Sequence, residues 1–87
     1  MTGEWSKYSC KISKEASKAF KEAFKGFTGY QYTPVAVAQQ VVSGVKYSFF
    51  CNAEGVFPHS VPEGAIITIY KPQKRKAKIQ HIQIIHQ

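Results

Sequence analysis

Hydrophobic residues recur with two periods along the chain, and the change of period predicts one helix followed by strands. From Ser13 to about Phe27 apolar residues are three and four positions apart, as on one face of a helix. That face holds Ala16, Phe20, Ala23, Phe24 and Phe27. Lysines recur with the same spacing on the opposite side, at positions 14, 18, 21 and 25. Ser13 has the hydroxyl expected of an N-cap, and Gly26 and Gly29 are expected to end the helix.

After the helix, β-branched and aromatic residues with a period of two predict an antiparallel sheet. The four predicted strands are Tyr30–Val42 and, approximately, Val45–Ala53, Ala65–Tyr70 and Lys78–Ile85. Short polar or glycine-containing segments separate them: residues 43–44, 54–64 and 71–76. The predicted fold class is therefore α+β, with one N-terminal helix packed on a four-stranded antiparallel sheet in a single domain, residues 1–87.

Three details of the strands follow from residue chemistry and from the alternation of side chains along a strand. Proline has no N–H for a strand ladder, so Pro34 is expected at a sheet edge or a bulge. Val35, Val37 and Val41 share one parity and are expected on one face. In the second strand the apolar face is expected to hold alternate residues from Val45 to Ala53.

Composition and charge narrow the class of protein. The chain has 87 residues, 44% of them hydrophobic and 14% aromatic, which is typical of one folded domain. Its net charge is +7 and it contains no aspartate, which indicates either a surface that is basic for solubility or an acidic partner, nucleic acid or an acidic protein surface. No apolar run approaches the roughly 20 residues of a membrane span. The first residues lack a signal-peptide stretch, so we expect a cytoplasmic protein.

The chemistry-bearing side chains do not form the pattern of an enzyme site. Cys10 and Cys51 are expected to be free thiols, the second one buried in a strand. His81 and His86 are five residues apart, which on a strand places them on opposite faces. A pairing of Cys51 with His59 would lack a third group to orient it. The five carboxylates, at positions 4, 15, 22, 54 and 63, are scattered. We therefore expect no enzymatic activity, metal or cofactor.

One short segment resembles a known family. The residues Gln40-Val41-Val42-Ser43-Gly44 resemble the Gln-Val-Val-Ala-Gly signature of the cystatins, which inhibit papain-like cysteine proteases. Val45-Lys46-Tyr47 is similar to the start of the next cystatin strand, and Gly3 precedes the helix as a glycine does in cystatins. The order of elements is also similar along nearly the whole chain. The closest likeness is to short bacterial single-domain cystatin-like proteins.

The resemblance implies a wedge that fills a protease cleft and performs no chemistry. Its parts would be the N-terminal segment at Gly3, the first hairpin from Gln40 to Gly44, and the second hairpin at Pro72 and Gln73. Within the first hairpin the contact residues would be Gln40, Val41, Val42, Ser43 and Gly44. The second hairpin departs from the family, because many cystatins have a Pro-Trp pair where this chain continues with cationic residues. The expected partner is a papain-like cysteine protease, and the cationic second hairpin implies either weak inhibition or a target with an acidic cleft rim.

Two alternatives stay open on the sequence. A dense basic cluster beside Tyr70 indicates a binding module for nucleic acid or an acidic protein, with a cystatin fold but no inhibition. The cluster consists of Lys71, Lys74, Arg75, Lys76 and Lys78.

The chain is also expected to be a monomer or a dimer that exchanges the first strand and helix by opening the first hairpin. Trp5 is expected to pack on the sheet or to hold the N-terminal segment.

Overall fold

The fold is one α-helix packed on a four-stranded antiparallel sheet, as the sequence predicts. The computed structural model describes residues 3–27, 29–55 and 63–85. Its elements are α1 (Lys14–Ala23), β1 (Tyr30–Val42), β2 (Gly44–Gly55), β3 (Glu63–Lys71) and β4 (Lys78–Ile85). The strands lie in sequence order and every neighbouring pair is antiparallel. No helix in these described ranges is long and apolar enough to cross a membrane.

The helix begins where its cap predicts and ends earlier than its apolar spacing predicts. Ser13 has an extended backbone, and its Oγ accepts a hydrogen bond from the N–H of Ala16 at 3.1 Å. The helix stops at Ala23, because Phe24 leaves the helical backbone conformation and Gly26 follows with φ of 82°. The prediction that Phe27 belongs to the buried helical face is therefore wrong, since 45% of its surface is exposed.

The core lies between the helix and one face of the sheet. Phe49, Cys51, Ile67 and Ile69 are the largest side chains that are fully buried. The helix adds Ala16, Ala19 and Phe20 to the same cluster. The Phe20 and Phe49 rings meet edge to face with centroids 4.9 Å apart, a favourable aromatic geometry. The predicted apolar face of β2 is confirmed, whereas Ala19 is a core residue that the predicted helical stripe omitted.

The register of β1 against β2 has a bulge at one of the predicted valines. Pro34 pairs with Cys51 and Ala36 pairs with Phe50, so Val35 is the extra residue between them. Pro34 therefore lies at a bulge on the strand at one end of the sheet order, as predicted. Val35 itself has no cross-strand partner, so the expectation that it shares a face with Val37 and Val41 stays a prediction. Val35 is 41% exposed.

The second and third strands are longer than predicted at the end of the sheet where they are joined. Glu54 and Gly55 belong to β2, and Glu63 and Gly64 belong to β3, although the sequence assigns all four to a loop. The remaining part of that predicted loop, residues 56–62, lies outside the described residues, and so do His59 and His86. Gly55 and Gly64 favour turns in the local sequence, but here each of them lies within a paired strand.

The N-terminal segment runs antiparallel along the outer edge of β1. The N–H of Gly3 donates to the carbonyl oxygen of Val41 at 2.8 Å, and the N–H of Ser6 donates to the carbonyl oxygen of Gln39 at 2.8 Å. Ser9 and Val37 exchange two backbone hydrogen bonds of 2.9 Å. This pairing covers polar backbone groups of β1 between Val37 and Val41, and such groups on an edge strand are otherwise a template for aggregation. The sequence pattern did not predict it.

Candidate binding end of the sheet

The turn of the first hairpin is so tight that it requires a glycine. Val42 and Gly44 are paired across the strands, which leaves Ser43 alone between them. Gly44 has φ of 113°, a conformation that residues with a side chain rarely adopt. A Cβ on Gly44 would lie 2.5 Å from the carbonyl oxygen of Lys71 and 3.1 Å from Cα of Pro72. This glycine therefore allows the first hairpin to lie directly against the start of the second.

A tyrosine ties the two hairpins together. The hydroxyl of Tyr70, in β3, donates a hydrogen bond to the carbonyl oxygen of Ser43 at 2.5 Å. The Tyr70 ring also comes within 3.2 Å of the position that a Cβ on Gly44 would occupy. The sequence assigned Tyr70 only a stacking role beside the basic cluster. In the structure its hydroxyl holds the turn of the first hairpin.

The N-terminal glycine lies at the same end of the sheet. Besides the bond from its N–H to Val41, its carbonyl oxygen accepts a hydrogen bond from Nε2 of Gln40 at 2.8 Å. A Cβ on Gly3 would lie 3.1 Å from the carbonyl oxygen of Val41, so a larger residue would crowd this pairing. Gln40 thus has an internal partner that the sequence did not indicate.

The predicted contact residues differ in how far they are accessible. Val41, Ser43 and Gln73 are exposed, and Val41 is the most exposed large apolar residue among those described, with 58% of its surface open. Val42 and Pro72 are half-buried, while Gly44 is buried. An approaching partner would therefore meet Val41 and Ser43 first on the first hairpin.

The loop of the second hairpin is held by bonds at both of its ends. Lys71 Nζ donates to the carbonyl oxygens of Pro72, at 3.1 Å, and of Arg75. The N–H of Ala77 donates to Oε1 of Glu22 on the helix at 2.6 Å. Hydrogen bonds to charged groups are stronger than those between neutral groups. The sequence counted Lys71 with the binding cluster and Glu22 as an isolated carboxylate, but both stabilise this loop.

The cations of the sheet are concentrated at this end. From β1 onward the chain has six lysines and arginines: Lys46, Lys71, Lys74, Arg75, Lys76 and Lys78. Lys46 pairs with Tyr70, which in turn pairs with Lys78, so the strand register brings Lys46 to the predicted basic cluster. The two carboxylates of the sheet, Glu54 and Glu63, lie at its opposite end, where Glu63 pairs with Ala53. The sheet is therefore electrically polarised along its strands.

The thiols differ in their surroundings. Cys51 is fully buried, and this burial raises the pKa of its thiol to about 12, so it stays protonated at neutral pH. Cys10 is exposed, and both cysteines are free. A protonated, inaccessible thiol is a poor nucleophile. The prediction that Cys51 is a free thiol buried in a strand is confirmed.

No family model, no curated protein and no solved structure matches this chain. The resemblance to cystatins thus stays a prediction drawn from the residues around Gly44 and from the order of the elements.

Proposed function

We propose that this protein is an inhibitor of papain-like cysteine proteases that inserts one end of its sheet into the protease cleft. The observation that supports the proposal is the convergence of three separate segments at that end: Gly3, the first hairpin and Pro72. Their direct contacts are the bond between Gly3 and Val41 and the close approach of Gly44 to Pro72. Such a narrow edge, with an exposed valine at its tip, has the shape that a cleft accepts.

The contribution of each segment follows from its contacts. Val41 and Ser43 supply the exposed surface of the first hairpin, while Gly44 and Tyr70 fix the shape of the turn from behind. A turn that is rigid before binding loses less conformational entropy when it enters a cleft. The second hairpin supplies cations in place of a buried aromatic anchor, so this inhibitor is expected to prefer a protease with an acidic rim and to lose affinity in salt.

The test is a titration of papain and of one acidic-rimmed relative with the protein and with two variants. Val41→Glu places a charge on the tip of the first hairpin, where burial of an unpaired carboxylate opposes binding. Val35→Glu is the matched control, because Val35 is also an exposed valine of β1 but lies at the bulge, away from the first hairpin. We expect stoichiometric inhibition by the unaltered protein and by Val35→Glu, and a large loss with Val41→Glu.

Two results would contradict the proposal. One is an absence of inhibition by the unaltered protein at concentrations of tens of micromolar. The other is an equal effect of the two valine substitutions, because that would show that the tip of the first hairpin is not the contacting surface. The predicted strand-exchanged dimer opens the same hairpin and would remove the tip, so inhibition is measured on the monomer fraction from size-exclusion chromatography.

A further inference from the structure

The face of the sheet that points away from the helix combines cations with exposed aromatic rings. Alternate residues of β2 lie on this face, in the order Lys46, Ser48 and Phe50. The cross-strand register adds Tyr70 beside Lys46, and Lys78 beside Tyr70. We refer to the face that holds these residues as the open face.

Two aromatic residues of the open face remain accessible. Tyr8, from the N-terminal segment, reaches over β2 and its hydroxyl forms a hydrogen bond of 2.6 Å with Oγ of Ser48. It keeps 50% of its surface exposed, and Phe50 keeps 37%. Residues two apart on a strand are separated by about 7 Å, so Lys46, the Tyr8 hydroxyl on Ser48, and Phe50 form a row with roughly that spacing.

The cations beside this row have no anionic partner among the residues that the structure describes. None of Lys46, Lys74, Arg75, Lys76 and Lys78 forms an ion pair with another residue in the part of the chain that the structure describes. Glu22 faces this end from the helix side, where its Oε1 accepts from Ala77. Glu4 follows Gly3 at the first hairpin, and Glu54 lies at the far end of the open face. Cations that lie beside exposed aromatic rings are complementary to a polymer that carries both anionic groups and flat apolar groups.

We propose that the open face binds single-stranded nucleic acid, with phosphates on Lys46 and the cations of the second hairpin and bases on the rings of Tyr8 and Phe50. Base stacking on aromatic side chains tolerates any sequence, and contacts with lysine and arginine follow the phosphate chain. An acidic protein segment would use the same cations but would gain little from the rings, so the exposed aromatics favour nucleic acid. The site goes beyond the proposed inhibition and does not depend on it.

The experiment measures fluorescence anisotropy of a labelled single-stranded oligonucleotide of about 12 nucleotides, within the usual site sizes for such surfaces. The test variant is Lys46→Gln with Lys78→Gln. The control is Lys14→Gln with Lys25→Gln, which removes the same charge from exposed positions on the helix segment. For single strands, each phosphate contact adds about 0.7 to the steepness with which log K falls as log salt rises. If the variant and the unaltered protein bind equally at about 1 M salt, loss of two contacts makes the variant bind about 25-fold more weakly at about 0.1 M salt. The control is expected to change affinity far less.

A third variant, Phe50→Ala, separates stacking from charge. It leaves the net charge and the core unchanged, and we expect it to weaken binding about fivefold or more while the salt slope stays the same. The proposal is overturned if the two double variants weaken binding equally, which would indicate general attraction to a basic protein. It is also overturned if an acidic peptide competes as well as the oligonucleotide and Phe50→Ala has no effect, or if the unaltered protein does not bind at about 0.1 M salt.

Discussion

Replacement of Gly44 by alanine tests whether the glycine of the first hairpin is required by the fold itself. The substitution adds one methyl group at a position with φ of 113°. A side chain in the left-handed region costs about 1–2 kcal/mol. In addition, the new Cβ would lie 2.5 Å from the carbonyl oxygen of Lys71, whereas real Cβ atoms essentially never come closer than 3.0 Å. The strand must therefore shift by about 0.5 Å relative to β3.

A matched control separates these two costs. Gly26 also has a positive φ, 82°, but a Cβ there would meet nothing within 4 Å. Gly26→Ala therefore carries the conformational cost alone, and Gly44→Ala carries that cost plus the collision. Forcing a group into a packed site typically costs about 1–3 kcal/mol. Because 1 kcal/mol shifts the melting temperature of a domain of this size by about 4–8 °C, Gly44→Ala should melt at least about 4 °C below Gly26→Ala.

The assay is thermal unfolding followed by far-ultraviolet circular dichroism, together with urea unfolding of the same three proteins. Equal melting temperatures for the two alanine variants would refute the reasoning, since they would show that the hairpins are not in contact at Gly44. The result also matters for function. A charged substitution at Gly44 would disturb the turn and abolish binding for structural reasons, which is why Val41 is the better position for an inhibition test.

Substitutions at three further positions test two hydrogen bonds and one shifted pKa. Glu22→Ala leaves the N–H of Ala77 without its acceptor and should reduce the free energy of unfolding by about 1–3 kcal/mol. Glu22→Gln keeps an oxygen acceptor and should cost less. Equal losses of unfolding free energy for the two variants, measured by urea unfolding, would contradict this. Tyr8→Phe removes the hydrogen bond to Ser48 and should cost about 0.5–1.5 kcal/mol by the same measurement, and no loss would show that this contact adds nothing. The thiol of Cys51 has an ordinary pKa of 9.0 that burial raises to about 12, so the folded state keeps its proton where the unfolded state loses it. Stability should therefore be fully present below about pH 9 and fall as the pH rises towards about 12, with a smaller fall in Cys51→Ala; identical pH profiles would exclude this group as the cause.

Much of the architecture is present in local patterns of the chain. The three- and four-residue spacing of apolar positions predicts the helix, and Ser13 marks its start, because a cap depends only on groups within one turn. Both β1 and β4 agree with the strands predicted from a period of two. The tight turn at Ser43 and Gly44 is likewise a local signal. These features require no knowledge of which residues meet across the fold.

Errors at the ends of elements have physical causes that lie outside the local pattern. The apolar spacing continues to Phe27, but the chain turns at Gly26, so the last predicted turn of the helix does not form. The alternation of residues along β1 cannot reveal the bulge at Val35, because only pairing with β2 shows which residue has no partner. Glu54 and Glu63 look like loop residues on their own and become strand residues once β2 and β3 pair.

The candidate site divides in the same way between sequence and tertiary structure. The sequence alone determined which segments the candidate site contains: a glycine-containing hairpin motif, an N-terminal glycine and a basic second hairpin. Only the tertiary structure decided that these segments share one end of the sheet, that Tyr70 and Glu22 hold the hairpins, and that Lys46 joins the cations there. The reason is that strand register and contacts between distant segments arise from packing over the whole domain, whereas capping, turns and periodicity arise within a few neighbouring residues.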